Sequence, residues 1–196
     1  MKKYAFTMIE LVFVLVVIGI ITAVILPRID RDNVYEATQQ LESHIKYAQH
    51  LAMIDNVYDD SSSSWFRNRW GVFFDTVVTR YILKHSTDGG ATWVNAIDPL
   101  TKVAFSDTDD SSTDLNSKFD ILTITASSNC ANNKVLIFDT LGRPYIFPSD
   151  AQVTVAANPQ TGLLGADCLI TLASSEHNAT ITIESETGYT SITSFN

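Results

Sequence analysis

The 196-residue sequence is short of positive charge: 13 Lys plus Arg stand against 22 Asp plus Glu, a formal net charge of −9. That balance argues against general attraction to phosphate backbones or anionic lipid surfaces, and so against nucleic acid as a bulk partner. Cysteine is scarce as well. Cys130 and Cys168 are the only two, and they lie far from any CxxC spacing. His44, His50, His85 and His177 form no i, i+4 pair and show no carboxylate spacing of a zinc site. The many serines include no G-x-S-x-G elbow. No catalytic set, resident metal or cofactor follows from these residues, so the chain reads as a non-enzyme, and it carries no internal repeat.

What the sequence does have is one concentrated apolar run. Behind the basic stretch Met1-Lys2-Lys3-Tyr4-Ala5 come Phe6-Thr7-Met8-Ile9-Glu10, then Leu11 to Leu26 with only Thr22 polar. Counted from Phe6, the run predicts a helix of about 32 Å, close to the hydrocarbon thickness of a bilayer. Lys2 and Lys3 place the leader in the cytoplasm and the body outside, by the positive-inside tendency. A secretory signal would end at small residues, whereas this run ends in Val24-Ile25-Leu26-Pro27-Arg28, which offers no such site. Glu10 is an ionisable group at the edge of a predicted span, where such groups are costly and usually functional. It could also sit at the headgroup level of an ordinary signal anchor.

Ala5-Phe6-Thr7-Met8-Ile9-Glu10-Leu11, with the apolar run and Pro27 behind it, resembles the cleavage and methylation motif of type IV pilins and type II secretion pseudopilins. The resemblance covers about the first 30 residues. It implies cleavage between Ala5 and Phe6, N-methylation of Phe6, and Glu10 as the fifth residue of the mature chain. Most members have Gly where this chain has Ala5. It further implies that a prepilin peptidase, other pilin or pseudopilin subunits and an inner-membrane assembly platform are the partners. Residence in the bacterial inner membrane, with a cytoplasmic N-terminus and periplasmic head, would precede entry into a periplasmic or surface filament. In that setting Glu10 would answer the new amine of Phe6, because an isolated ion in an apolar surround costs several kcal/mol.

Beyond Pro27, Val34, Ala37, Leu41, Ile45, Ala48 and Leu51 recur at intervals of three and four, one apolar stripe on a helix. A single helix from about Phe6 to Ile54 is therefore expected, bent at Pro27, which lacks a backbone donor. From Arg69 onward short β-branched and aromatic runs predict strands, among them Gly71–Phe74, Val77–Leu83, Phe119–Thr125, Val135–Phe138, Pro144–Phe147, Gln152–Val155 and Ala179–Ile183. Leu141-Gly142-Arg143-Pro144 and Glu186-Thr187-Gly188 supply turn chemistry between them. The expected fold is α+β: a long N-terminal α-helix, membrane-spanning in its first half and amphipathic in its second, packed on a C-terminal antiparallel β-sheet head. The expected domains are a leader over 1–5, a transmembrane or filament-core segment over 6–29 and a periplasmic head over 30–196. Phe138 to Tyr145 also resembles a turn in the heads of GspH/FimT-like minor pseudopilins.

Four smaller candidates remain. Cys130 and Cys168 can pair as a disulfide if the head is exported, with two buried free thiols as the alternative. Asp107, Asp109, Asp110 and Asp114 could gather around Ca²⁺ or form a solvated acidic loop. Asn178, in Glu176-His177-Asn178-Ala179-Thr180, is a candidate glycosylation acceptor. Trp65, Phe66, Arg67, Arg69 and Trp70 could stack on single-stranded bases, as in a DNA-uptake minor pilin, or pack at the helix-to-sheet junction. The functional expectation is a structural pilin or pseudopilin subunit; the alternative is a ligand-binding minor pilin serving adhesion or DNA uptake.

Overall fold

The computed structural model describes residues 7–25, 33–75, 77–107, 113–131, 134–156 and 158–196. The chain divides into two compact units, Met1–Asp32 and Asn33–Asn196.

The first unit contains α1 (Met8–Ile25), 18 residues long, which rises about 27 Å at 1.5 Å per residue. Thr7 starts it: its carbonyl accepts from the amides of Glu10 at 3.1 Å and Leu11 at 3.2 Å. The hydroxyl of Thr22 donates back to the carbonyl of Ile18 at 2.8 Å, which satisfies the polar group within an apolar helix. The second unit opens with α2 (Asn33–Ile54).

The expected continuous helix from Phe6 to Ile54 is thus replaced by two shorter helices, and no helix among the described residues is long and apolar enough to cross a membrane. The sequence contains a reason for the break. Proline disfavours the helical conformation of the residue before it and has no amide to donate, and α1 ends at Ile25, two residues ahead of Pro27. Pro27 itself, expected as a bend, lies outside the described residues, as do Ala5 and Phe6.

The expected antiparallel β-structure of the second unit is present as two sheets. A short 3-10 turn, Trp65–Arg67, leads into β1 (Trp70–Asp75), β2 (Arg80–His85) and β3 (Val94–Asn95). Then come α3 (Leu115–Phe119), β4 (Thr123–Ser128), β5 (Val135–Phe138), β6 (Pro144–Phe147), α4 (Asp150–Thr154), β7 (Cys168–Ala173), β8 (Asn178–Ile183) and β9 (Thr190–Phe195). One sheet runs β3-β2-β1-β5-β6 and the other β4-β7-β8-β9, with antiparallel pairing throughout. One expected strand, Gln152–Val155, changes type, and another, Phe119–Thr125, keeps only residues 123–125, within β4. Residues 152–154 belong to α4, with Val153 buried, and Phe119 closes α3.

Helix α2 is the shared floor of both sheets, lying against β1 and β5 of the first and β7, β8 and β9 of the second. Val34, Ala37, Leu41, Ile45 and Ala48 are buried as the stripe requires, with Ala52 in place of the half-buried Leu51. Burying a side chain the size of Leu41 stabilises the fold by roughly 1.5–3 kcal/mol. Strand β5 is buried at all four positions. Leu136 and Phe138 join the core beneath α2, while Val135 and Ile137 join a smaller cluster with Phe66, Tyr145, Phe147 and Val153 on the opposite face. A strand covered on both faces must be apolar without alternation, which is why Val-Leu-Ile-Phe occurs there.

Gln49 of α2 ties two turns to the helix: its Nε2 donates to the carbonyl of Gly142 at 2.8 Å and to that of Thr187 at 2.9 Å. Gly142 (φ +78°) and Gly188 (φ +67°) hold left-handed conformations beside it, and a Cβ on Gly188 would lie 2.5 Å from the Gly142 carbonyl oxygen. Glycine is the residue that tolerates such a backbone and such proximity.

Candidate functional site

Helix α1 exposes its apolar side chains all round. Met8, Ile9, Leu11, Phe13, Leu15 and Ile20 range from 55% to 86% exposed. Glu10 is exposed in the first turn, and its amide also approaches the Thr7 hydroxyl oxygen at 3.4 Å. Thr7 and Glu10 stand three apart, the spacing of a capping box, and a carboxylate in the first turn complements the positive end of the helix dipole. The T-x-x-E spacing of Thr7 and Glu10 thus marks the start of α1 in the sequence as well. The cleavage pair Ala5 and Phe6 lies outside the described residues.

Cys130 and Cys168 form the expected disulfide, with Cα atoms 5.5 Å apart and a sequence separation of 38. Both are fully buried. The bond links the turn after β4 to the first residue of β7, where Ser128 pairs with Cys168 across the sheet. A buried structural disulfide points to an oxidising compartment.

The acidic loop is divided among other tasks. Asp107 pairs with Lys84 at 2.7 Å, and Asp114 caps α3 by accepting from the amides of Asn116 and Ser117. Asp109 and Asp110 lie outside the described residues. Asn178 is exposed at the start of β8, where its backbone exchanges hydrogen bonds with Asn196 at 2.8 and 2.9 Å. The Thr180 hydroxyl two residues on is buried against that of Thr171 at 3.0 Å.

The basic aromatic cluster is used inside the fold. Arg67 donates from Nε at 3.1 Å and from Nη2 at 2.7 Å to the carbonyl of Ala156. Trp70 stacks on His85 with centroids 4.2 Å apart, while its Nε1 donates to Asp55 at 2.7 Å. Arg69 is only 6% exposed. Its guanidinium lies 3.7 Å over the Tyr145 ring, with Nε donating to the carbonyl of Phe66 at 2.6 Å and Nη2 to that of Pro159 at 3.1 Å. Stacking platforms for bases need aromatic faces and cations turned to solvent, and these side chains are engaged elsewhere.

Arg69, Phe66 and Trp65 meet the 139–145 turn around a cavity of about 240 Å³. Asp139 organises that turn. One carboxylate oxygen accepts from the amides of Leu141 at 3.0 Å and Arg143 at 2.9 Å. The other accepts from Arg143 Nε at 2.8 Å and Nη2 at 2.7 Å, and from the Tyr145 hydroxyl at 3.1 Å. The bond to Asp139 holds the Arg143 guanidinium above its ordinary value. Burial pushes the Tyr145 phenol up and the Arg69 guanidinium down, against the attraction of the nearby Tyr145 and Asp139. Two segments that the sequence had marked separately thus form one site.

No family model matches the chain, and neither a curated protein nor a solved structure matches it.

Proposed function

We propose that this chain is a structural subunit, a minor pilin or pseudopilin, of a type IV pilus or type II secretion pseudopilus, without catalysis of its own. The observation that carries this reading is α1, an apolar helix with exposed side chains on every face and a single carboxylate in its first turn. Such a helix needs an apolar surround, and identical helices of neighbouring subunits packed side by side would supply it. Glu10 then meets the amine that removal of residues 1–5 creates on Phe6, on its own chain or the next.

In this reading a prepilin peptidase cuts and methylates the chain, an inner-membrane assembly platform feeds it into the filament, and the other subunits receive it. The proposed location is the bacterial inner membrane with the head in the periplasm, followed by the filament. The buried disulfide supports an oxidising surround for the head. The test is the intact mass and N-terminal sequence of the protein recovered from a host with prepilin peptidase. A mature chain starting at N-methylated Phe6 is expected; a chain that starts at Met1, or beyond α1, rules the reading out.

A second reading, a ligand-binding minor pilin, draws its support from the cavity under the 139–145 turn.

A further inference from the structure

The cavity beside Arg69 is lined by two cations, Arg69 and Arg143, and one anion, Asp139. Its floor is apolar and aromatic, with Phe66 9% exposed and Tyr145 fully buried, and Leu141, 72% exposed, stands at its rim. Asp139 is already committed, with five donors on its two oxygens, and its charge is matched by Arg143 at 2.7 Å. Arg69 is therefore left as the excess charge. Among the described residues no carboxylate lies within ion-pair distance of it. Its bonds to the Phe66 and Pro159 carbonyls use two of the five N–H donors that a guanidinium carries.

A buried cation whose nearby carboxylate, Asp139, is already ion-paired with Arg143 is only partly compensated in the free protein. A ligand that brings one anionic charge into an apolar pocket removes that cost and gains from a charge-assisted bond to a planar fork. At about 240 Å³ the cavity is smaller than the sites that hold drug-sized ligands, so the apolar part must be small. One net positive charge suits a monoanion better than a dianionic phosphate. A carboxylate is the planar, two-oxygen partner that matches guanidinium geometry.

We propose that the cavity between the Trp65–Arg67 turn and the 139–145 turn is a binding site for a carboxylate carried on a small apolar body, such as the C-terminal residue of a peptide, with Arg69 as the anion-binding group. The proposal rests on the cavity and holds whether or not the chain enters a filament.

The test uses the full chain in nonionic detergent micelles, with N-acetyl-L-phenylalanine as probe and the fluorescence and indole NMR signal of Trp65 as readouts. A saturable response is expected for the acid, and one at least about tenfold weaker for N-acetyl-L-phenylalanine amide, which has the same body without the charge. Arg69→Gln should weaken the acid by a similar factor. Arg69 also anchors backbone carbonyls, so that variant can lose its fold, and Leu141→Glu then decides. It changes an exposed rim residue, leaves the core untouched, and should also weaken the acid about tenfold by repulsion.

A tetrapeptide ending in a free Phe carboxylate separates the two sources of the ligand. Tighter binding than the single residue assigns a chain terminus, equal binding a free acid, and either upholds the site. Equal affinity for acid and amide, tighter binding of inorganic phosphate than of the acid, or no saturable response up to roughly 10 mM would overturn it.

Discussion

Helices α1 and α2 are neighbours in sequence and both carry strong apolar patterns, yet they solve opposite problems. In α2 the apolar residues keep to one stripe, and Ala37, Leu41, Ile45 and Ala48 are all 0% exposed beneath two sheets. In α1 the apolar residues occupy every face, and all but the half-buried Val17 of its large apolar residues through Ile21 are exposed, from Val14 at 44% to Met8 at 86%. A stripe can be satisfied by one folded layer, because the polar face may stay in water. An apolar cylinder cannot, because it has no polar face to leave in water. The difference separates a helix buried within its own unit from one whose apolar side chains are largely exposed.

The first and largest test of that contrast concerns what holds the second unit together apart from α2. Replacing Cys130 and Cys168 by Ser opens a loop with a separation of 38 residues. It should cost about 4 kcal/mol by the loop-entropy relation, read as a lower denaturant midpoint for the head. Next, Leu41→Ala in α2 should cost about 2–5 kcal/mol by creating a cavity in the core. Leu15→Ala in α1 should leave unfolding of the head within about 0.5 kcal/mol. Comparable losses from the two helices, measured in the same denaturation experiment, would break the comparison.

Gly188→Ala should destabilise the head by roughly 1–3 kcal/mol, since it places a Cβ against the Gly142 carbonyl in a left-handed backbone. Thermal unfolding with the Gln49 side-chain amide followed by NMR would show whether the α2 tether is lost with it. Glu10→Ala should shift head stability by less than about 0.5 kcal/mol. Leader removal should be retained and entry into sheared filaments reduced; normal filament entry would remove the pairing role of the acid.

The smallest effect is a local titration. Hydrogen bonds from Thr92, then from Ser86, hold the Asp88 carboxyl at about 2, below its ordinary 3.8. A depressed folded value means that the contribution is present above the ordinary value and is lost as pH falls through about 2. The Thr92 amide, 2.8 Å from Asp88 Oδ1, should therefore keep its bonded chemical shift at pH 4 and lose it toward pH 2, and Asp88→Asn should abolish the transition.

Much of the second unit could be read from local pattern. The α2 stripe, the buried run Val135–Phe138 and the turns at Gly142 and Gly188 follow from residue type and spacing, whereas the cystine followed only if the head is exported. Where reading failed, the pattern was too short or the partner too distant. Gln152–Val155 alternates like a strand over only four residues, and it becomes the end of α4 because Val153 is drawn into the cluster around Phe147 and Ile137. The apolar pattern predicts one rod bent at Pro27, whereas the described residues hold two helices, α1 to Ile25 and α2 from Asn33. The aromatic basic cluster was visible, but whether its cations face water or carbonyls depends on residues about 90 positions away, Ala156 and Pro159.

By itself the sequence determined which side chains must leave water and which backbones must turn, since hydrophobicity, periodicity and glycine's conformational freedom belong to residues and their near neighbours. Tertiary structure alone decided that the strands divide into two sheets over α2 and that Arg69 is buried beside a cavity, bonded to the Pro159 carbonyl 90 positions away. Those outcomes depend on contacts between segments far apart in the chain, whose pairing is selected by packing of the whole core and is not encoded in any short window.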